Sequence, residues 1–195
     1  SLQEQEKIAE ILSTVDEAIE KTDALIDKYK KIKTWLMEDL FTKGIDVNTG
    51  KPHTKFKESE LGRIPESWEI DTFWGLLNKN ILSWIQDWNH WEIHPKSEDF
   101  VMTGVPFVMA SDISSWKINF NTCKFISNQQ YNKLRIWFSQ WGDVLLSHKA
   151  SIGFTSIVPD NINIMLTPQV TYYRINKWIS NKFLMSYFQS NFFQN

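Results

Sequence analysis

The sequence is poor in cysteine and contains no long apolar segment. Its single cysteine, Cys123, cannot form a disulfide within the chain, which fits a reducing compartment. No run of about 18 apolar residues occurs, and no basic segment is followed by an apolar one, so export or a membrane span has no support. We therefore expect a cytoplasmic protein without a membrane partner.

The common catalytic signatures are also missing. The sequence contains no GxxxxGK[ST], GxGxxG, HExxH or GxSxG pattern, and no pattern for binding S-adenosylmethionine or methylating an amino group. Cys123 has no paired histidine nearby, so we expect a packed and inert thiol. His90 and His94 have the spacing of metal ligands on a helix, but Pro95 directly after His94 favours a loop. The sequence therefore predicts no catalytic residue and no metal site.

An excess of positive charge is absent as well. The formal net charge is −2. Residues 1–43 hold seven lysines against ten acidic residues, and residues 44–195 hold fourteen basic against thirteen acidic residues. Dedicated nucleic-acid binders usually have a clear basic excess, so this balance supports nucleic-acid binding only weakly, although one face can still be basic.

The most prominent feature that is present is a helical pattern from Leu2 to Phe41. No proline or glycine occurs before Gly44, and about 40 residues make a rod of roughly 60 Å. Ser1 and Glu4 have the spacing of a capping box, and a basic residue before Gly44 is typical of a helix end. Apolar residues recur at alternating steps of four and three, as in a heptad seam. The predicted helix-pairing residues are Ile8, Leu12, Val15, Ile19, Ile26, Tyr29, Leu36 and Leu40.

This apolar seam requires a partner helix of similar length, and no second heptad stretch follows. We expect the partner to come from a missing part of the chain or from another subunit. A long helix folded across its own domain is the alternative.

The remainder of the chain predicts a linker and a mixed α/β domain. Residues 44–67 contain turn chemistry, whereas short apolar runs broken by polar turns begin at residue 68. The predicted strands are residues 105–109, 143–147, 154–158 and 170–175, and the predicted helices are residues 127–135 and 180–192, capped by Ser127 and by Ser180 or Asn181. The predicted fold class is thus α+β, with a coiled-coil helix at 1–43, a linker at 44–67 and a mixed α/β domain at 68–195.

Polar side chains cluster on the predicted loops of this domain. Side chains of these types form hydrogen bonds with base edges and phosphates, so the loops suggest recognition rather than catalysis. Each loop alone is a weak signal, because solvated surface gives the same pattern. The candidate DNA contacts are Asn89, His90, His94, Lys96, Ser111, Asp112, Ser147, His148, Lys149, Ser151 and Gln169.

Several stretches resemble the specificity subunits of type I restriction–modification enzymes. Residues 2–12 (LQEQEKIAEIL) resemble the start of the central helix in that family, and residues 36–42 (LMEDLFT) resemble its end. Residues 59–70 look like the beginning of a target recognition domain, residues 142–153 with 157–159 like its late strand–loop–strand, and residues 183–190 like its closing helix. These matches span nearly the whole chain in the correct order.

The resemblance implies a non-catalytic DNA reader. A complete family member has two target recognition domains, each reading half of a split target, and two helices that pair as an antiparallel coiled coil set the spacing. This chain would supply one spacer helix and one target recognition domain, as a fragment or as a half-size subunit that dimerises. The implied partners are double-stranded DNA, methyltransferase subunits, a restriction subunit and a second spacer helix from the same subunit or from a second copy. No cofactor is expected on this chain, since S-adenosylmethionine, ATP and Mg are expected on the partner subunits. The alternative function is a coiled-coil assembly protein whose globular domain binds another protein.

Tryptophan is overrepresented and glycine is scarce, with ten tryptophans and seven glycines in 195 residues. Several tryptophans stand where the family shows glycine or where a turn glycine would be natural: Trp35, Trp84, Trp88, Trp91, Trp116, Trp137 and Trp178. We hypothesise that the gene uses UGA for glycine and was translated with UGA as tryptophan. Reassigning all but Trp68 would add nine glycines to the seven present, and 16 glycines are about 8% of the chain, close to the ordinary value. Genuine aromatics that stack on bases or form a core are the alternative.

Overall fold

A computed structural model of the chain describes residues 1–86, 95–114, 116–133 and 138–194. The chain divides into two compact units, Ser1–Trp68 and Glu69–Asn195. Among the described residues, no helix is both long and apolar enough to cross a membrane.

The first unit begins with helix α1, Leu2–Lys43, and both predicted ends are confirmed. The Ser1 hydroxyl accepts a hydrogen bond from the Glu4 backbone N–H at 3.3 Å, which completes the predicted capping box. At the other end the Gly44 N–H donates to the Leu40 carbonyl at 3.0 Å, and Gly44 has a φ of 59°. A Cβ at Gly44 would lie 2.6 Å from Cζ2 of Trp68, so both backbone conformation and space require glycine there.

Residues 44–67, predicted as a linker, contain a β-hairpin. Strands β1, Phe56–Ser59, and β2, Gly62–Pro65, pair antiparallel. The Arg63 guanidinium lies 4.8 Å from the centre of the Phe56 ring. The hairpin was not predicted because most of its residues are exposed and polar, which leaves no apolar alternation to detect.

In its described residues, the second unit contains two main sheets and four short helices. Its strands are β3 Leu82–Gln86, β4 Phe100–Val101, β5 Val105–Val108, β6 Ile113–Ser114, β7 Lys117–Ile118, β8 Lys124–Ile126, β9 Phe138–Ser139, β10 Val144–Ser147, β11 Thr155–Ile157, β12 Ile164–Leu166 and β13 Val170–Ile175. Its α-helices are α2 Phe73–Asn78, α3 Asn128–Lys133, α4 Asn181–Phe188 and α5 Asn191–Gln194, and 3-10 turns occupy Ser97–Asp99 and Ala110–Asp112. One sheet has the order β11-β10-β13-β3 and is antiparallel; the other has the order β4-β8-β5-β12-β9, with β5 and β12 parallel. The predicted mixed α/β class and all four predicted strands are therefore confirmed.

Strand β10 separates two apolar cores. All four of its residues are buried, and they alternate between the two sides as the pleat requires. Leu145 packs in a cluster with β5, β8 and β12, whereas Val144 and Leu146 pack in a second cluster with α4. A strand covered on both faces reads as a continuous apolar run, which explains why its position was predictable from the sequence.

The buried carboxylate of Asp143 pairs with Arg174 of the same sheet and also binds the end of β9 in the other sheet. Asp143 is 1% exposed, and its carboxylate accepts two hydrogen bonds from Arg174, at 2.8 Å from Nε and 2.7 Å from Nη2. The same carboxylate accepts from the Ser139 hydroxyl at 3.0 Å and from the Gln140 N–H at 2.9 Å. The hydrogen bonds from Arg174 to the Asp143 carboxylate raise the pKa of Arg174 above its ordinary value. Asp143 thus fixes the end of β9 against β10 and β13.

Candidate nucleic-acid interface

The parallel strands β5 and β12 bring two connecting segments together. Their final residues, Val108 and Leu166, are paired in register. Directly beyond them, the Thr167 N–H donates to the Val108 carbonyl at 3.0 Å. The segment after β5, residues 109–112, therefore begins beside the segment after β12, residues 167–169.

A third loop adjoins these two. Strand β10 ends at Ser147, which pairs with Val170 at the start of β13. The His148 N–H then donates to the Gln169 carbonyl at 2.9 Å, which holds the loop after β10 against residues 167–169. We call residues 109–112, 148–153 and 167–169 the three-loop edge. The topology thus brings together polar segments that are far apart in the sequence.

The loop at 148–153 is held by its own backbone. The Ser147 hydroxyl accepts from the Phe154 N–H at 2.9 Å, and the Gly153 N–H donates to the Ser147 carbonyl at 2.9 Å. Ala150 has a φ of 64°, which gives the loop a sharp turn. Lys149 is exposed, and its neighbour His148 is half-buried. A defined loop therefore presents a cation to solvent beside polar groups that can donate or accept hydrogen bonds.

The last helix supports this loop through a residue that was not predicted. Nε2 of Gln194 donates to the Gly153 carbonyl at 3.1 Å. Gly153 has a φ of 83°, which favours glycine, and a Cβ there would also require the Gln194 side chain to shift. A glutamine at the end of a short helix gives no sequence signal for such a distant contact.

Two of the predicted DNA contacts have their polar groups bonded within the protein. Asp112 is 2% exposed, and its carboxylate accepts from the Met109 N–H at 2.9 Å and from the Thr122 hydroxyl at 2.8 Å. Ser147 is 1% exposed and accepts from Phe154. Both residues shape the loops of the edge, and a direct contact of either with DNA stays a prediction.

The remaining predicted contacts fall into three groups. Ser111 is exposed, whereas Ser151 and Gln169 are half-buried, and all three lie on the three-loop edge with His148 and Lys149. Lys96 is exposed on a different connection, where its backbone N–H donates to Asp99 at 2.7 Å before a 3-10 turn. Asn89, His90 and His94 lie outside the described residues.

The predicted helix-pairing residues form an exposed apolar face on α1, all 42 of whose residues the structure describes and none of which is buried. Exposure along this seam ranges from 41% at Leu40 to 62% at Tyr29. The other seam residues, Ile8, Leu12, Val15, Ile19, Ile26 and Leu36, lie between these values. An apolar stripe of this length on an otherwise charged helix is characteristic of a protein–protein contact.

Chemically reactive groups are not assembled in the described part of the chain. No group of three or more His, Cys, Asp or Glu side chains there could hold a metal ion. Cys123 is buried, and burial raises the pKa of its thiol to about 12, so the thiol stays protonated at neutral pH.

Comparison with known proteins identifies relatives by sequence. No protein-family model matches the chain. Over 178 residues, 91% of its length, it is 29% identical to the type I restriction enzyme MjaVIII specificity subunit of Methanocaldococcus jannaschii. Over 69 residues, 35% of its length, it is 44% identical to the putative type I restriction enzyme MjaX specificity subunit of the same organism. The matched stretches cover 38% and 15% of these two relatives.

Two solved structures match nearly the whole chain at TM-scores just below 0.5. The HsdS subunit from Thermoanaerobacter tengcongensis gives a TM-score of 0.49 at 15% identity, covering 96% of this chain and 40% of that one. A structure from work on complex assembly and conformational transition of the type I R-M system gives 0.48 at 16% identity, covering 96% and 41%. Both TM-scores lie below 0.5, so the homology rests on the sequence identities to the two specificity subunits.

The chain therefore combines an elongated helical element with a globular domain. A long helix with an exposed apolar seam is followed by a mixed α/β domain that presents polar loops. The chain is homologous to the specificity subunits of type I restriction enzymes, and the resemblance noted in its sequence is confirmed.

Proposed function

We propose that this chain recognises one half-site of a bipartite DNA target as part of a type I specificity subunit. The observation that carries the proposal is the sequence relationship over 91% of the chain to a specificity subunit. The three-loop edge supplies a surface for this task, since exposed and half-buried polar side chains from three segments meet there.

The exposed and half-buried residues of the edge divide between two roles. The Lys149 cation binds a phosphate, which positions the protein without reading sequence. Ser111, His148, Ser151 and Gln169 supply the neutral donors and acceptors that base edges require. Asp112 and Ser147 have their polar groups bonded within the protein, so their proposed role is to stabilise the shape of the loops.

The same proposal gives the chain a non-catalytic place in a larger cytoplasmic complex. Methyltransferase subunits bring S-adenosylmethionine, and a restriction subunit brings ATP and Mg. The α1 seam pairs with a second spacer helix, from the same subunit or from a second copy. Two observations support a partner helix. The seam is exposed, and the chain matches only 38% of a relative's length.

The test is binding to a randomised library of DNA duplexes by the chain assembled with its methyltransferase subunits. Selection of one short motif, with an affinity that falls steeply as salt rises, is the expected result. Binding without sequence preference, or no binding, would contradict DNA recognition. In the second case, retention of a protein partner by the globular domain would identify a coiled-coil assembly protein instead.

Lys149→Ala should weaken binding to all sequences to a similar degree. Loss of one phosphate contact should lower affinity about 5–10-fold at ~0.1 M salt and flatten the salt slope by about one unit. The matched control is Lys177→Ala, an exposed lysine beyond the opposite end of β13. Altered preference at a single base pair in the Lys149 variant would show base reading rather than phosphate binding.

Charge placed on the α1 seam should abolish helix pairing. We expect the chain to self-associate at high concentration in the absence of its partner helix. The double variant Ile19→Asp with Ile26→Asp should be monomeric in sedimentation velocity, because two carboxylates would be buried in an apolar seam. Ala24→Asp, on the opposite side of the helix, should associate as the parent does. A parent chain that is strictly monomeric would refute the pairing face.

A further inference from the structure

Two tryptophans occupy a backbone conformation that disfavours them. Trp116 has a φ of 66° and Trp178 a φ of 70°. In this left-handed region a Cβ crowds the backbone, and a bulky residue there is a genuine outlier. The other described non-glycine residues with positive φ are Asn80, Asn161 and Ala150. Asparagine is well known to tolerate this region, whereas tryptophan is not.

Both tryptophan side chains are exposed to solvent, and Trp178 strongly so. Trp116 is 49% exposed and Trp178 is 84% exposed. A buried tryptophan stabilises a protein through its large contact area, but most of the Trp178 side chain faces solvent instead. Backbone strain can mark a functional site, but Trp178 follows the end of β13 opposite the three-loop edge.

The local structure at each position suits glycine. Trp116 lies in the two-residue connection of the β6–β7 hairpin, where Ser114 pairs with Lys117. Connections of this length favour positive φ and therefore Asn-Gly or Asp-Gly sequences. Only the backbone of Trp116 is needed for its contact with Ser156, whose hydroxyl donates to the Trp116 carbonyl at 3.2 Å. Trp178 lies in the bend that leads from β13 into α4.

Composition and exposure extend the pattern beyond these two positions. Three more tryptophans are strongly exposed: Trp35 at 61%, Trp74 at 73% and Trp141 at 65%. Trp68 differs, since it is half-buried and packs closely beside Gly44. The chain holds ten tryptophans and only seven glycines, although ordinary usage is about 7% glycine.

We propose that residues 116 and 178 are glycine in the protein made by its native cell, where UGA codons at these positions specify glycine. Trp68 is a genuine tryptophan encoded by UGG. The inference concerns the covalent sequence and is independent of the DNA-binding proposal.

Peptide mass spectrometry of the protein isolated from its native cells tests the proposal. Glycine at both 116 and 178, with tryptophan at 68, is the expected result. Tryptophan at either of the first two positions overturns it, and it would then favour aromatic contacts with a ligand. The codons give a second readout, because UGG at position 116 or 178 also overturns the proposal.

Stability provides a readout of the strain itself. Trp116→Gly combined with Trp178→Gly should raise the melting temperature by about 4–8 °C, since the relief of two left-handed tryptophans outweighs the extra freedom of glycine in the unfolded chain. Trp68→Gly is the control and should lower the melting temperature, because it removes packing beside Gly44. A lower melting temperature in the double variant would overturn the assignment.

Discussion

Phe188→Ala should lower the free energy of unfolding by about 3–5 kcal/mol, the range for deleting a large buried aromatic. Phe188 is fully buried, and its ring lies 4.7 Å from Phe193, 4.8 Å from Tyr173 and 6.0 Å from Phe73, measured between ring centres. The substitution leaves a cavity where α2, α4, α5 and β13 meet. Four packed elements cannot easily shift together to fill this cavity. We therefore expect a loss of stability in the upper part of the range of about 3–5 kcal/mol.

Urea denaturation followed by near-ultraviolet circular dichroism measures this effect, because the signal depends on aromatic packing. Phe192→Ala is the matched control, since Phe192 is 50% exposed four residues further along. Its effect should stay within about 0.5–1 kcal/mol. Equal effects of the two substitutions would show that Phe188 does not anchor this core. Because α5 carries Gln194, loss of the core should also loosen the loop at 148–153.

Asp143→Ala should also be strongly destabilising, at about 2–4 kcal/mol. Four hydrogen bonds end on this buried carboxylate, from Arg174, Ser139 and Gln140. Its removal leaves a guanidinium partly buried without its counter-charge. The Arg174 side chain is 28% exposed, so water recovers part of the loss and the expected value lies below that for a fully buried pair.

A double-mutant cycle separates the ion pair from simple packing. The double variant Asp143→Ala with Arg174→Met removes both charges and should be less destabilised than the sum of the single variants. Strict additivity would mean that the two side chains do not stabilise each other. Crystal or solution structures of Asp143→Ala should show the end of β9 displaced from β10, since the Ser139 and Gln140 bonds are lost as well.

Phe188 and Asp143 both support the elements that carry the proposed reading surface. Phe188 fixes the helices that end at Gln194, and Asp143 fixes strand β10 at the end opposite Ser147. The loops of the three-loop edge contain few apolar residues of their own, so their shape depends on the strands and helices behind them. Specific recognition needs such preorganised groups, because mobile side chains lose binding free energy when they are ordered.

Much of the fold could be predicted because several segments carry strong local signals. Both ends of helix α1 are marked by capping residues that the sequence shows directly, and strand β10 is a continuous apolar run bounded by polar turns. Most strands of two or three residues, such as β4, β8 and β12, were not predicted, since so short a run shows no periodicity. The hairpin β1–β2 was missed for a related reason, because its exposed polar strands lack an apolar face.

The candidate site was predictable only as separate loops. Polar residues after Val108, Ser147 and Leu166 were visible in the sequence, but surface polarity gives the same pattern. Nothing local indicated that Asp112 and Ser147 direct their polar groups inward, because burial of a short polar side chain depends on its neighbours. Gln194 could not be identified at all, since its partner is 41 residues away.

The sequence by itself determined the long helix with its apolar seam, the α+β class, the family relationship and the abnormal balance of tryptophan and glycine. These properties follow from local capping, periodicity and composition, which need no knowledge of distant contacts. Only the tertiary structure decided which polar loops share one edge, which of their side chains hold the loops in shape, and which tryptophans sit in a left-handed backbone. Those outcomes depend on strand pairing between residues far apart in the chain, where parallel pairing of β5 with β12 and the bond from His148 to Gln169 place three separate segments side by side.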